Sequence, residues 1–297
     1  MNENKETPVN TKGNRNKIKK IAIIATAVLI VCIAAYFGIT KVLIPNRNYD
    51  AAIALMDDGN VIEAYNCFIA MDGYKDSAEK AKSLYERYKS EALKAADVGD
   101  YIYFGTYEQD NDTSNGKEDI EWLVLAKEYN RILVISKYAL ETKPYNTERE
   151  NITWETCNLR TWLNGTFLDE AFSEEEQPII YAIEVSADKN PDYSTDPGNA
   201  TEDKIFLLSI NEANEYFTSD EARMCAPTAY AIASGAYTND NDKVDGGASC
   251  WWWLRSPGNF QYIAAGVSLV GGVYSNGNYI DYARDCVRPA MWIDLDS

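Results

Sequence analysis

The sequence contains no histidine, and this absence removes several kinds of catalytic and metal site. Ser-His-Asp and Cys-His systems need an imidazole as general base, and zinc sites with nitrogen ligands need one as a ligand. Cysteine is sparse: the six residues include no CxxC pair, so neither a zinc cluster nor a disulfide framework is predicted. A single bridge between Cys225 and Cys250 stays open, because spacing alone does not decide it. We therefore predict no metal and no cofactor.

Positive charge is also in short supply. The chain has 28 lysine and arginine residues against 46 aspartate and glutamate residues, which gives a net charge of −18. Residues 1–43 hold seven of the basic residues and two of the acidic ones, so the rest of the chain is more acidic than the whole. Such a body repels nucleic acid, whose binding depends on cations that neutralise phosphates. No nucleic-acid partner is predicted, and the acidic surplus is interpreted as a source of solubility.

One long apolar run, "IAIIATAVLIVCIAAYFGI" at residues 21–39, contains no charged residue. Its residues rise about 1.5 Å each and together span about 28 Å, close to the hydrocarbon thickness of a bilayer. Lys17, Lys19 and Lys20 precede the run, so the positive-inside bias predicts a cytoplasmic N-terminus and an extracellular body. A cleaved signal peptide is the alternative, but its apolar core is shorter and ends in small residues. We expect a single-pass protein of the cell membrane.

Four parts are expected along the chain: a basic cytoplasmic tail (1–17), a transmembrane anchor (18–43), a helical stalk (44–97) and a ligand-binding domain (98–297). In the stalk, residues 49–71 indicate two helices around a turn at Asp57-Asp58-Gly59. The segment resembles a tetratricopeptide repeat at Ala52, Leu55, Gly59, Ala64 and Phe68. The resemblance covers about one and a half repeats, whereas stable solenoids need at least three. A spacer is therefore favoured over a peptide-binding groove.

The order of the predicted elements indicates the fold class of the C-terminal domain. An amphipathic helix is predicted after Thr153, and Ser209 with Glu212 forms the capping box that opens another helix. β-Branched and aromatic residues predict strands at 101–107, 120–126, 131–140, 205–209, 250–258 and 287–295. Strands first, helices in the middle and strands last indicate an α+β domain, not an alternating parallel sheet.

The C-terminal segments carry a spaced pattern: "CWWWLRSPG" at 250–258, "AAGVSLVGGVYSNG" at 264–277 and "VRPAMWIDL" at 287–295. Together with "TWETCNLRTWLN" and "IFLLSINEANEYF" upstream, they resemble a bacterial surface-domain family over residues 98–296. The resemblance implies a C-type-lectin-like fold with mixed and antiparallel strands. Formylglycine-generating enzymes and the variable proteins of diversity-generating retroelements share this version of the fold. In those variable proteins the late segment binds ligand, and its residues are exchanged by adenine-directed mutagenesis.

The same resemblance predicts a ligand-binding surface between the fixed motifs. The predicted ligand-binding residues are Phe260, Tyr262, Ile263, Ser268, Leu269, Tyr274, Tyr279, Ile280, Tyr282 and Asp285. Each of these residue types can be reached from an asparagine codon by changing adenines. Tyrosine offers a large amphipathic contact area at little entropic cost, as in paratopes. Gly271, Gly272 and Gly277 allow tight turns between the contact residues.

Other conspicuous side chains are given structural roles. Arg255 and Arg288 are predicted to stabilise the fold by pairing with carboxylates or carbonyls. Residues 238–247 hold three aspartates without the EF-hand order, so a solvated loop is favoured over a calcium site. Four tryptophans are predicted to be core residues of strands: Trp251, Trp252, Trp253 and Trp292.

Together these patterns favour a membrane-anchored bacterial surface protein that recognises an unknown extracellular protein or glycan, and no enzymatic activity is predicted. Two alternatives stay open. The first is an extracytoplasmic cell-wall hydrolase that uses carboxylates, although no motif singles out a pair of them. The second is a structural component of the envelope, whose last domain docks a partner constitutively.

Overall fold

The structure, a computed structural model, describes residues 39–71, 73–245 and 247–296. Within these ranges no helix is both long and apolar enough to cross a membrane. A helix of 19 residues, Ser77–Ala95, has the length but carries eight lysine, arginine and glutamate residues. The fold-class prediction is therefore corrected, because the transmembrane helix expected at 18–43 is not part of the observed fold. Most of that segment, and the predicted tail at 1–17, lie outside the described residues.

The chain divides into two compact units, Met1–Glu91 and Ala92–Ser297. The first unit contains a π-helical turn, Ile39–Leu43, followed by α1 (Ile44–Asp57), α2 (Val61–Ile69) and most of α3 (Ser77–Ala95), whose last turn belongs to the second unit. The chain reverses between α1 and α2 at Gly59, whose φ of 83° suits glycine. Ala52, Ala64 and Phe68 are fully buried in a small core of their own. The predicted pair of helices around a turn is confirmed.

Five strands form the first sheet of the second unit: β1 (Tyr101–Tyr107), β2 (Glu118–Glu128), β3 (Arg131–Ser136), β7 (Ile205–Phe206) and β14 (Ala290–Asp294). Their spatial order is β1-β2-β3-β14-β7, and all neighbours are antiparallel. The last strand of the chain thus lies between β3 and β7, with Trp292 opposite Leu133. β14 is therefore an interior strand of this sheet, although it comes last in the sequence.

The second sheet contains β4 (Glu141–Thr142), β10 (Trp252–Pro257), β11 (Ile263–Val267), β12 (Val273–Tyr279) and β13 (Cys286–Val287). Its order is β12-β11-β10-β13-β4. The strands β10, β11 and β12 are antiparallel neighbours, whereas β13 is parallel to β10, with Trp252 opposite Cys286. The connection from β12 to β13 must therefore cross the sheet, and it brings Asp285 beside Asn278.

Short helices and two hairpins complete the second unit. The helices are α4 (Asn158–Trp162), α5 (Leu168–Ala171), α6 (Ile210–Tyr216), α7 (Asp220–Arg223) and α8 (Ala229–Ala233). The hairpins pair β5 (Ile183–Val185) with β6 (Thr201–Asp203), and β8 (Thr238–Val244) with β9 (Gly247–Cys250). The segment predicted as a solvated loop at 238–247 thus contributes to a hairpin instead. The unit is α+β with mixed sheets, as the order of elements predicts.

Several predicted elements differ in detail. The strand expected at 131–140 ends at Ser136, the one at 250–258 is interrupted at Trp251, and the one at 287–295 is split between β13 and β14, which belong to different sheets. The strand expected at 205–209 ends at Phe206, because Arg255 binds the following carbonyl groups: its side chain donates to Leu207 and its backbone N–H to Leu208, both at 2.9 Å. The capping box of Ser209 and Glu212 is confirmed at the start of α6. The helix expected after Thr153 begins with a 3₁₀ turn, Trp154–Thr156, and the cap of α4 is the Cys157 thiol.

The tryptophan-rich strand supplies much of the core. Trp252 and Trp253 are fully buried, and Trp292 is nearly so, which confirms their predicted place. Their indole N–H groups donate to carbonyl oxygens: Trp252 to that of Arg223 at 3.2 Å and Trp253 to that of Lys143 at 2.9 Å. Buried tryptophan normally needs such a partner. Trp251 is corrected, because it is only half-buried and borders a cavity.

The two arginines of the C-terminal motifs stabilise the fold, as predicted. Arg255 pairs with Glu212 and donates to backbone carbonyl groups. Arg288 donates to the carbonyl oxygen of Ser136 at 2.9 Å, and its guanidinium carbon lies 5.2 Å from the ring centroid of Trp252. Both side chains are buried, and acceptor groups of the protein itself bind their donors.

A tight turn between β11 and β12 depends on Gly271. Its φ is +78°, and an added Cβ would overlap the carbonyl oxygen of Asp220. We therefore expect Gly271→Ala to lower the free energy of unfolding by about 2 kcal/mol or more in urea denaturation. Gly116→Ala is the matched control, because Gly116 has a φ of +102° and no atom within 4 Å of the added Cβ. An equal loss in both variants would mean that the contact with Asp220 does not limit this position.

Candidate functional site

The hairpin of β11 and β12 determines where the late aromatic side chains lie. Ile263 is paired with Tyr279, and Ala264 with Asn278. Gly277 has a φ of +80°, and an added Cβ there would overlap the carbonyl oxygen of Ala264. The strands can therefore approach closely only because this position is glycine. This close pairing brings side chains of the segment before β11 beside those at the end of β12.

Three aromatic rings stand in a row on this hairpin. The ring centroids of Phe260 and Tyr262 are 5.5 Å apart with an interplanar angle of 1°, and those of Tyr262 and Tyr279 are 6.2 Å apart at 9°. The guanidinium carbon of Arg149 lies 3.8 Å from the ring centroid of Tyr279, and Arg149 is paired with Asp281 at 2.9 Å. We call Phe260, Tyr262 and Tyr279 the aromatic ladder. Stacking holds these side chains in place although Phe260 is 53% and Tyr279 47% exposed.

A cavity of about 300 Å³ opens beside the ladder. It is lined by Tyr237, Trp251, Asn278, Tyr279, Tyr282 and Asp285. Tyr279 belongs to both the ladder and this lining, so the two features are continuous. The Trp251 ring is held by an edge contact with Tyr274 at 5.4 Å between centroids. We call this space the Asp285 cavity.

The carboxyl group of Asp285 is the unusual part of the lining. Its side chain is nearly inaccessible, with 1% of the residue exposed. Oδ2 accepts a hydrogen bond from Asn278 Nδ2 at 2.6 Å, whereas Oδ1 has no partner among the described residues. Burial raises the pKa of Asp285 to about 7, and the hydrogen bond from Asn278 opposes this shift. Asp285 thus borders the cavity with a buried carboxyl group, one oxygen of which has no partner among the described residues.

The structure distributes the predicted contact residues over three environments. Phe260, Tyr274, Tyr279 and Tyr282 are exposed, Tyr262, Ile263, Ser268 and Leu269 are half-buried, and Ile280 and Asp285 are buried. Ile280 is corrected, because its side chain is in the core on the opposite side of the chain from Tyr279. Asp285 is buried as well, but it borders the cavity. Ser268 and Leu269 belong to the turn after β11 and do not line the cavity.

Sequence reasoning missed several residues of the site. Arg149, Tyr237 and Asn278 are distant in sequence or lie inside the turn-rich segment, and no local pattern marks them. No local pattern marks Trp251 either. Side chains alternate along an extended segment, which places Trp252 on the face opposite Trp251 and Trp253. Trp252 and Trp253 are both fully buried, so alternation does not single out Trp251.

A row of buried thiols lies at Cys225, Cys250 and Cys286, and all three are free cysteines. The thiol of Cys250 is hydrogen-bonded to both of the others, and burial raises its pKa well above the ordinary value. The thiolate is the reactive form of cysteine, so Cys250 is chemically quiet. The bridge between Cys225 and Cys250 that spacing left open is not formed.

A group of carboxylates lies where β1 ends and β2 begins. Oxygen atoms of Glu108, Asp110 and Glu118 are all within 4.8 Å of one another. Glu118 accepts a hydrogen bond from the backbone N–H of Gln109 at 2.7 Å, so protein donors already serve part of the group. Exposed acidic groups of this kind are common without an ion, and we infer no metal site from it.

The second unit is thus an α+β domain that presents an aromatic ladder and an acidic cavity on its last hairpin. The chain belongs to a family described as a domain of unknown function, DUF6273, which matches residues 129–295. The match covers more than half of the chain and includes the ladder and the cavity. It begins later than the start at residue 98 that the motifs suggested. No curated protein and no solved structure matches this chain.

Proposed function

We propose that this chain is a recognition protein that binds a protein ligand through the aromatic ladder and the Asp285 cavity. The observation that carries the proposal is the continuity of these two features through Tyr279. A stacked row of partly exposed aromatic rings offers a rigid contact area, which is how tyrosine contributes to paratopes and to the centres of protein interfaces. The cavity beside it can accept one side chain of the ligand.

A protein ligand is favoured over a glycan ligand. The sugar-binding calcium motifs of lectins, EPN or QPD with WND, do not occur in the sequence. The net charge of −18 favours association with a basic surface. The extracellular placement of this ligand stays a prediction from the sequence.

The resemblance to lectin-like variable proteins of retroelements belongs to the same proposal. Two kinds of position in the hairpin support it. Frame positions are glycines whose backbone leaves no room for a side chain, such as Gly271 and Gly277. Exposed positions close to them in the chain, such as Tyr274 and Tyr279, make contacts that other large residues could replace. A fixed frame with exchangeable contacts is a general way to build binding sites.

A hydrolase that uses two carboxylates is less well supported. Such enzymes need a pair of carboxyl groups about 5 to 10 Å apart on either side of the bond that they cleave. Among the described residues that line the Asp285 cavity, Asp285 is the single carboxylic acid. The geometry therefore favours binding over hydrolysis at this site.

The proposal predicts that the ladder dominates the affinity for a protein ligand. The purified full chain would be used to select binders from a displayed random-peptide library, and the affinity of the enriched peptides would be measured by surface plasmon resonance. We expect the double variant Phe260→Ala/Tyr279→Ala to bind them at least about 30-fold more weakly, since exposed aromatic anchors are typical hot spots.

Tyr129→Ala provides the control for this experiment. Tyr129 is fully exposed in the turn between β2 and β3, so its loss removes a surface aromatic ring outside the site. Urea denaturation would verify that all variants fold. No enrichment of peptides by the native chain, or equal binding by the double variant and the Tyr129 variant, would contradict the proposed function.

A further inference from the structure

We propose that the Asp285 cavity binds a primary ammonium group, such as the end of a lysine side chain of the ligand. This inference rests on the proposed function and names the ligand group that enters the cavity. It follows from the unsatisfied oxygen of Asp285, from the aromatic lining and from the size of the cavity.

The Asp285 oxygen without a partner can accept a hydrogen bond from a donor outside the chain. Asp285 Oδ1 is buried and has no hydrogen-bond partner in the described part of the protein. Leaving a buried charged acceptor unpaired is costly, and native proteins rarely do so without a functional reason. An ammonium group supplies both an N–H donor and the opposite charge. Binding would therefore give Asp285 Oδ1 the partner that the described part of the protein does not supply.

The walls of the cavity suit a cation. Tyr237, Trp251, Tyr279 and Tyr282 supply aromatic rings, which attract cations through their π-electrons. Two of these rings already carry protein cations: Arg149 lies 3.8 Å from the centroid of Tyr279, and Arg284 lies 5.2 Å from that of Tyr237. Among the described residues no lysine or arginine lies over the rings of Trp251 and Tyr282, so these are the walls that remain for a ligand cation.

The number of free acceptors distinguishes a primary ammonium from other cations. A guanidinium group binds best when it reaches both oxygens of a carboxylate, but Asn278 already occupies Oδ2. A quaternary ammonium has no N–H to donate to Oδ1. A primary ammonium is a compact point charge with rotatable donors, and it needs one free oxygen. The volume of about 300 Å³ is at the small end of ligand sites and fits a single side chain.

The ionisable groups around the cavity set the expected pH dependence. The lining holds the Asp285 carboxyl and the hydroxyl groups of three tyrosines. Arg149 is paired with Asp281, and Arg284 is exposed beside Tyr237. Because the pKa of Asp285 is about 7, the carboxylate form that attracts an ammonium becomes scarce below this pH. Affinity for an ammonium should therefore rise with pH, about tenfold from pH 6 to pH 8.

Calorimetric titration of the full chain with two matched probes tests this inference. The probes are Nα-acetyl-lysine methylamide and its neutral analogue, which carries a second acetyl group on Nε. At pH 8 we expect the charged probe to bind at least about tenfold more tightly than the neutral one, and this preference should shrink about tenfold at pH 6. Asp285→Asn, which keeps the shape of the side chain, should abolish the preference.

Asp240→Asn is the control, because it removes an equal charge from an exposed residue of the same unit that does not line the cavity. It should leave the preference unchanged. Equal binding of both probes, or a preference that survives in Asp285→Asn, would overturn the ammonium assignment, and so would tighter binding of the corresponding arginine probe. Any of these three results would leave the proposed function standing if the ladder variants still bind the enriched peptides more weakly than the native chain does.

Discussion

Replacing Asp285 with asparagine is expected to make the second unit more stable at pH 8 than the native protein. The carboxyl group has a pKa of about 7 in the folded state, raised by burial from an ordinary value of 3.8. Between these two values the folded state therefore holds a proton that the unfolded state has lost. The free energy of unfolding must then fall as the pH rises from about 4 to about 7, and it levels off above that range. Asparagine has no proton to lose, so the variant avoids this fall.

The expected difference is large enough to measure by urea denaturation across pH. We expect the advantage of Asp285→Asn over the native chain to grow by roughly 2 kcal/mol between pH 5 and pH 8. Asp281→Asn should show no such growth, because Asp281 is half-buried and paired with Arg149. If the free energy of unfolding depends on pH in the same way for the native chain and for Asp285→Asn, the pKa of Asp285 is not raised in the folded state, and this prediction is contradicted.

A gain in stability from removing Asp285 would also bear on its role. Natural proteins keep a destabilising buried charge where it performs a function, and the substitution that relieves it then reduces activity. The same variant is expected to lose the preference for an ammonium probe. A more stable protein that has lost its ligand preference is the combination that a merely structural aspartate would not produce.

Arg255→Met is expected to have the largest destabilising effect among the arginine variants. The Arg255 guanidinium is 3% exposed and donates to Leu207 O at 2.9 Å, to Ser186 O at 3.2 Å and to Glu212 Oε1 at 2.8 Å. Glu212 also accepts from the backbone N–H of Ser209 at 2.8 Å, so the arginine and the cap of α6 share one carboxylate. Removing the guanidinium leaves this carboxylate without its cation and two carbonyl groups without the donors of Arg255.

Breaking such a buried pair from one side typically costs about 3 to 5 kcal/mol. We expect Arg255→Met to lower the free energy of unfolding in urea by this amount. Arg255→Lys should restore only a small part of it, since an ammonium cannot span the same acceptors. Arg131→Met is the comparison, because Arg131 pairs with Glu128 at the surface, where such pairs contribute at most about 1 kcal/mol. Equal losses at both positions would contradict the role given to Arg255.

Two predictions that rest on neighbouring residues were confirmed. The capping box at Ser209 and Glu212 was readable because its two hydrogen bonds join residues three apart. The hairpin of α1 and α2 was readable because small residues recur at helical spacing around Gly59. The transmembrane helix predicted at 18–43 falls largely outside the described residues, and within them no helix is both long and apolar enough to cross a membrane. Where the chain is described, its one helix of sufficient length is charged along its surface.

The sequence by itself determined the α+β class, the capping box of α6, most of the buried tryptophans and the region that holds the exposed aromatic residues. Each of these depends on local periodicity or on a motif. Only the tertiary structure decided that β14 lies between β3 and β7, that Ile280 is buried beside an exposed Tyr279, and that Tyr237, Trp251 and Asp285 border one cavity. These features depend on strand pairing and on a crossing connection between residues far apart in the chain. No local pattern encodes which distant side chains such a connection brings together.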